Sequence, residues 1–300
     1  MYAILGASGN TGSVVASNLL AHGQKVRVIG RDPKRLEKLV WKGAEPFYAK
    51  VTDTAALTDA FTGAKAVYLL IPPSPAHPNV REEQERVSDS LVAAVRKSGV
   101  SYAVVLSSIG AEKSEKTGPV VGLHNLEQKL NGVSQLNADY IRAGYFMENL
   151  LPQIEVIQSF GSTAGPLRND LKIPMIATAD IGAAAAESLE KLEFSGKHAR
   201  DLQGQRHVTY VEVASVIGNS IGKPGLGYMQ LPPAQLKPAF VQMGWSSNMA
   251  DLLLEMSEAL NSGYMAAQEP RSAKNTTPTS IEVFVAEQFA PRFMSKTAKA

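Results

Sequence analysis

The chain has 300 residues, 44% hydrophobic and 19% charged, the balance of an ordinary folded protein long enough to bury a sizeable core. Lys and Arg number 30 against 28 Asp and Glu, a net charge of +2, so bulk electrostatics favour neither nucleic acid nor an anionic membrane surface. There is no cysteine, which excludes disulfides, thiolate nucleophiles and thiolate-bound metal.

Residues 2–12 (YAILGASGNTG) read as an apolar strand, a glycine-rich turn and a helix start. Gly6 permits the tight turn, and Gly9 lets backbone N–H groups approach a pyrophosphate. Gly12 lets the helix pack close to the strand. The phosphates would face the positive end of the helix dipole. The helix is expected over 13–22, stopped by Gly23. Residues 25–31 (KVRVIGR) form a second strand, with Lys34 and Arg35 beyond it. A site for NAD places an acid at this strand end, on the ribose 2′-hydroxyl, and a site for NADP places an arginine there, on the 2′-phosphate. Arg31 holds the position about 20 residues past the turn, which favours NADP(H) over NAD(H), although Asp32 follows it directly. Lys34 and Arg35 read as solvated charges at a helix start.

A third strand is expected at 47–51, followed by Asp53, either an adenine neighbour or the N-cap of a helix over 54–61. The apolar run 66–71 (AVYLLI) suits a strand buried on both faces, broken by Pro72 and Pro73. A long helix through Lys97 follows Pro78 and Asn79. The fifth strand, 102–106, leaves Ser107 and Ser108 at its carboxyl end, where open α/β sheets bind ligands or where loops simply hydrogen-bond. A loop and helix over 117–131 and a sixth strand over 139–145 complete the alternation, and 146–150 begins a further helix. The pattern is that of an α/β protein with a doubly wound parallel sheet, with a nucleotide-binding domain over 1–150. Beyond it the pattern loosens. Short strands at 173–177 and 198–202 are expected to return to the first domain, and the rest of 151–300 to form a smaller α+β domain. There, Asp180 is expected to cap a helix over 181–192. Further helices are expected at 211–221, 234–243, 247–262 and 280–289, with a strand at 228–231. No basic segment followed by an apolar run precedes the first strand, and no apolar stretch reaches membrane length, so a cytoplasmic location is expected.

GASGNTG, LSSIGA, TGPVVGLHNLEQKL and RAGYFMENLL, with NTTPTSIEVFVAEQFAP near the C-terminus, resemble the NmrA-like family, atypical members of the short-chain dehydrogenase/reductase superfamily. The resemblance covers nearly the whole chain, and RAGYFMEN is its most specific mark. It implies a Rossmann domain binding NAD(P), with the smaller domain forming a cleft over the nicotinamide. It implies that Gly6, Ser8, Gly9, Asn10, Thr11 and Arg31 hold pyrophosphate and ribose phosphate. It sets Ile71, Pro72, Ser107 and Tyr145 along the path from adenosine to nicotinamide.

The superfamily's Tyr-x-x-x-Lys pair is missing, since none of the nine tyrosines has lysine four residues on. The lysine used by isoflavone-reductase-like relatives near 123–124 is missing too. Some NmrA-like proteins resemble quinone reductases, whose acceptors ask for little beyond hydride and one modest proton donor. Others bind the nucleotide without turnover, as redox sensors or transcriptional co-regulators. The resemblance thus implies hydride transfer to a quinone-like or other small carbonyl acceptor, with nucleotide sensing as the alternative. An epimerase or dehydratase with tightly held NAD is disfavoured by the missing pair. No nucleic-acid partner is expected, and a homo-oligomer is compatible with the sequence. His124, whose residue type titrates near neutral pH, and Tyr145, at a strand end, are the candidate proton donors. Glu127, Lys129 and Glu148 read as helix-surface charges. The five histidines lack metal-ligand spacing, so no metal site is expected.

Overall fold

The computed structural model describes residues 1–297. Strands and helices alternate through β1 (Tyr2–Leu5), α1 (Asn10–Ala21), β2 (Val26–Gly30), α2 (Pro33–Trp41), β3 (Glu45–Tyr48), α3 (Thr54–Phe61), β4 (Ala66–Leu69), α4 (Val80–Ser98), β5 (Tyr102–Ser108), α5 (Val120–Asn131) and β6 (Asn137–Ala143). Short elements then follow: β7 (Tyr145–Phe146), a 3₁₀ turn over Met147–Leu150, α6 (Gln153–Phe160), β8 (Thr163–Gly165) and β9 (Ile173–Ile176). Next come α7 (Thr178–Lys191), β10 (Lys197–Leu202), β11 (His207–Val208), α8 (Tyr210–Ser220) and β12 (Tyr228–Gln230). The chain ends in α9 (Pro233–Gln242), α10 (Ser247–Asn261), α11 (Ile281–Phe284), a π turn over Val285–Phe289 and α12 (Ala290–Thr297).

Seven strands form one sheet in the order β10-β6-β5-β4-β1-β2-β3, and each neighbouring pair is parallel. The fold is therefore the doubly wound α/β type. The order reverses between β1 and β4, and the crevice there, at the carboxyl ends, is where such sheets take a ligand. β4 is buried at all four positions because both faces are covered. One face packs Leu57, Leu91 and Leu126 of α3, α4 and α5. The other packs Val15, Leu36 and Ile181 of α1, α2 and α7.

The third strand lies two residues earlier than the sequence pattern indicates. Its register sets Glu45 opposite Arg27, whose Nε donates to the carboxylate at 2.7 Å, and it ends where Tyr48 meets Gly30, the last residue of β2. Pro46 is tolerated because β3 is an edge strand. The two late strands part company. β10 returns to the sheet beside β6, whereas β9 sits in a separate three-stranded sheet, parallel to β7 and antiparallel to β11. Asp180 does not cap α7, which starts two residues before it. The carboxylate of Glu148 takes the Thr178 N–H instead, at 3.0 Å, and Asp180 binds the Thr279 N–H and hydroxyl. Glu148 thus ties α7 to the end of β7 and is no free surface charge.

A second core gathers Met147, Leu150, Ile173, Ile217, Phe284 and Phe289, together with Ala111 and Val120 from the first half. It seats the C-terminal elements against the carboxyl end of β5 and the start of α5. No helix among the described residues is long and apolar enough to cross a membrane.

Candidate active site

Gly6 follows β1 directly with φ +65°, the left-handed region where glycine carries no Cβ penalty. The Gly9 N–H closes the turn on the Gly6 carbonyl at 2.8 Å. Gly9 is also the N-cap of α1, extended and offering no side chain. The first helical bond that returns to the turn is Ser13 N–H to Gly9 carbonyl, at 3.1 Å, which leaves the N–H groups of Asn10, Thr11 and Gly12 directed out of the helix start. A Cβ on Gly12 would run into the Gly6 carbonyl, so only glycine lets α1 and the turn close this far. Unpaired donors, the positive end of the dipole and a position at the sheet's switch point together fit a diphosphate.

Thr11 contributes to this cradle only through its backbone. Its side chain is buried, and its hydroxyl accepts from Tyr68 at 3.0 Å, which pins α1 to β4. Ser8 is half-buried and Asn10 exposed beside the turn. Arg31 is exposed, with no hydrogen bond or ion pair to any described residue. Asp32 is the N-cap of α2, its Oδ1 accepting from Lys34 N–H at 3.0 Å. Arg35, read from sequence as a solvated charge, donates to the Ser8 carbonyl at 3.1 Å and stands over the glycine turn. Asp53 is the N-cap of α3, accepting from Ala56 N–H at 3.1 Å. Ile71 and Pro72 are half-buried just past β4, next to Leu70, which lies against Gly6.

Ser107 lies inside β5, one residue before its carboxyl end, not beyond it. The residue is 3% exposed, and its hydroxyl donates to Glu127 Oε1 at 2.6 Å. Glu127 is no surface charge either. At 2% exposure it takes two bonds from the Arg142 guanidinium, Nε to Oε1 at 3.1 Å and Nη2 to Oε2 at 2.6 Å. Arg142 stands opposite Ser107 on one side and Asp201 on the other, a polar row across β5, β6 and β10. Burial opposes the Arg142 charge, but Glu127, Glu112 and Asp201 together outweigh it and hold the guanidinium above its ordinary pKa. Lys129 is half-buried and paired with Glu85 and Asp89. Sequence reasoning missed this network. The available signal was that Leu123, Leu126, Glu127 and Leu130 share one helical stripe, which sets Glu127 at a core position.

The two candidate proton donors lie near the same end of the sheet in different settings. His124, in α5, is half-buried, and its Nδ1 faces the Ala111 carbonyl at 2.9 Å. A carbonyl only accepts, so Nδ1 carries the proton and Nε2 is the nitrogen left for chemistry. Tyr145, at the start of β7, accepts from the Tyr210 hydroxyl at 2.9 Å, and the two rings meet edge to face. Burial raises the Tyr145 phenol above its ordinary pKa, while hydrogen bonds from Tyr210 and Asn149 pull the other way. Among the described residues no group of three or more His, Asp or Glu side chains is placed to hold a metal ion.

Comparisons with known proteins agree with this architecture. Over 268 residues the chain is 26% identical to quinone oxidoreductase 2 of Escherichia coli, covering 88% of this chain and 89% of the relative. It is 24% identical to the NAD(P)H azoreductase of Xenophilus azovorans, also over 268 residues, 89% of each. The crystal structure of the NADPH-dependent quinone oxidoreductase of E. coli complexed with NADPH superposes with a TM-score of 0.81 at 24% identity, covering 96% of this chain and all of that one. The triphenylmethane reductase of Citrobacter sp. complexed with NADP(H) gives 0.79 at 18%, with the same coverage. These structures share the fold. The family model described as NmrA-like matches residues 2–285, and the chain belongs to the NmrA-like family.

Proposed function

We propose that the chain is an NAD(P)H-dependent oxidoreductase, preferring NADPH, that passes hydride to a quinone-like, azo or other small conjugated acceptor. The observation that carries the reading is the uncapped start of α1 over a turn in which Gly12 is pressed against the Gly6 carbonyl. The names of the relatives, reductases of quinones, azo compounds and triphenylmethane dyes, supply the acceptor class.

In this reading the N–H groups of Asn10, Thr11 and Gly12 bind the pyrophosphate, Arg31 holds the 2′-phosphate, and Arg35 braces the turn through the Ser8 carbonyl. Ile71 and Pro72 border the path toward the nicotinamide, and Asp53 keeps its place at the adenine end. When bound, the cofactor supplies the hydride. The protein's own task is then to orient the acceptor, exclude water, and offer one proton, from Tyr145 Oη or from His124 Nε2 when the imidazole is charged.

The test is loss of nicotinamide absorbance with NADPH and NADH against benzoquinones, an azo dye and a triphenylmethane dye. Turnover with at least one of them, favouring NADPH, supports the reading. Tyr145→Phe and His124→Ala should each cost roughly tenfold in turnover, less than the 10²–10⁴ lost with a dedicated general acid. Tight, selective NADPH binding with no acceptor reduced would replace the enzyme with the redox sensor.

A further inference from the structure

The superfamily's tyrosine depends on a lysine four residues on, where Tyr145 has Asn149. Among the described residues the side chains acting on its oxygen are Tyr210 and Asn149, neither of them a cation or a carboxylate. We propose that Tyr210 is the positioning residue for Tyr145: its hydroxyl, donating at 2.9 Å, fixes the Tyr145 oxygen as an acceptor, leaves the Tyr145 proton free for another partner, and steadies the phenolate left when that proton is given up. Where the proton goes rests on the oxidoreductase reading. The hydrogen bond itself does not.

Both partners are held rigidly enough for this. The backbone of Tyr145 pairs with Met175 in β9, and Gly144 before it lies so close to the Pro174 carbonyl that no Cβ fits. Tyr210 is 6% exposed and stacks on Tyr228 at 4.9 Å between ring centroids, with the planes 30° apart. Tyr228 is anchored in turn, its hydroxyl donating to the Leu167 carbonyl at 2.8 Å. Because that bond uses the Tyr228 proton, Tyr228 cannot replace Tyr210 as donor. The titratable groups around the Tyr145 oxygen are thus Tyr210 on α8 and, one ring further, Tyr228 on β12.

The step balances simply. Hydride brings two electrons and one hydrogen to the acceptor. The Tyr145 O–H bond breaks as a new O–H or N–H bond forms on the reduced acceptor, and water returns a proton to the phenolate. Two neutral donors, Tyr210 and Asn149, do for the phenolate what a lysine does elsewhere, at a smaller electrostatic gain. A modest proton donor suits an electron-poor acceptor, which takes hydride readily before it is protonated.

The test reads the hydrogen bond without cofactor or turnover. Tyr145 is replaced by a difluorotyrosine, whose lower pKa brings its titration into the range where the protein is folded, and its ¹⁹F shift is followed against pH. Tyr210→Phe, which keeps the ring and its stacking, should weaken the acid constant at position 145 roughly tenfold to a hundredfold. Tyr228→Phe, which leaves the donor in place, should change it less than about twofold, with thermal melts confirming that both variants fold. An unchanged acid constant in folded Tyr210→Phe overturns the inference whatever the activity. In the unfluorinated chain, Tyr210→Phe should lower kcat roughly tenfold, leave the KM for NADPH alone, and move the alkaline limb of the pH profile. An altered acid constant with kcat and pH profile unmoved would overturn the positioning role. If the wild type reduces no acceptor while the acid constant still shifts, the hydrogen bond stands and the oxidoreductase reading falls.

Discussion

Two regions meet at the carboxyl end of the sheet, and they are built by different means. Around β1, β4 and the start of α1 the working surface is backbone: Gly6, Gly9 and Gly12 bring N–H groups to the surface, and Thr11 turns its side chain inward to Tyr68. Around β5, β6 and β7 the working surface is side chain: Tyr145 on Tyr210, His124 on a carbonyl, and a buried row of Ser107, Arg142 and Glu127 beneath. A backbone surface recognises what all dinucleotides share and admits almost no substitution. A side-chain surface can be refitted to another acceptor by changing a few residues while the supporting strands stay.

The sharpest way to break this contrast is at the glycine turn. A Cβ at Gly9 would stand 3.2 Å from the Gly6 carbonyl, a fit needing only a small local shift, so Gly9→Asp should fold. Its carboxylate would sit where the proposed cradle would take a pyrophosphate, and nucleotide binding should fall below detection in calorimetry. Retained affinity in a folded variant would show that the cradle is not the binding surface.

On the side-chain surface the largest effect should be structural. Glu127→Ala leaves the Arg142 guanidinium, with only 15% of its side chain exposed, without its carboxylate. Breaking a buried pair by removing one partner costs about 3–5 kcal/mol, to be read from urea unfolding. A loss under about 1 kcal/mol would mean that Glu112, 3.9 Å from Arg142 Nη1, takes over the pairing.

Below both lies cofactor choice. Arg31→Ala should weaken NADPH by about 1.5–3 kcal/mol, the range for a hydrogen bond to a charged group, and leave NADH nearly unchanged. Arg35 touches the turn itself through the Ser8 carbonyl, so Arg35→Ala should weaken both cofactors. Calorimetry with both nucleotides separates the two arginines, and equal losses for Arg31→Ala would assign that residue to the fold.

The same contrast explains what could be read from the sequence. The glycine spacing, the apolar run of β4 and the strand-helix alternation are local, and each specifies its element with little help from elsewhere. The late strands were visible as strands for the same reason, but not which of them, β9 or β10, joins the main sheet. What escaped was long-range. Asp180 has the right residue type for a cap, yet the cap of α7 comes from Glu148 on another element. Glu127 looks like a solvated helix charge until Ser107 and Arg142, from two neighbouring strands, are both found on its carboxylate. Arg35 and Arg31 are alike in sequence, and only the course of α2 shows which one reaches the turn.

The smallest effect tests how the acceptor side holds its tyrosines. Tyr210 is the first residue of α8, and Thr209 before it forms a capping box: its hydroxyl accepts from Glu212 N–H at 3.1 Å, and Glu212 accepts from Thr209 N–H at 2.7 Å. The Thr209 N–H holds the Glu212 carboxyl below its usual range. A carboxylate whose pKa falls on folding contributes stability above its unfolded pKa and loses it as pH drops through the folded value. The box should therefore be intact at neutral pH and weaken in acid, below the ordinary value of 4.5. Thr209→Ala removes the hydroxyl half and should cost about 1 kcal/mol of stability at neutral pH. It keeps the backbone N–H, so the acid-dependent half should persist, and Glu212→Gln should remove it. Because α8 packs Val213 and Ile217 into the second core, the helix should stay seated and Tyr210 should still reach Tyr145. Turnover of Thr209→Ala should thus fall less than that of Tyr210→Phe. A larger loss for the cap variant would mean that the tyrosine pair depends on the entry of α8 more than on the hydrogen bond between its rings.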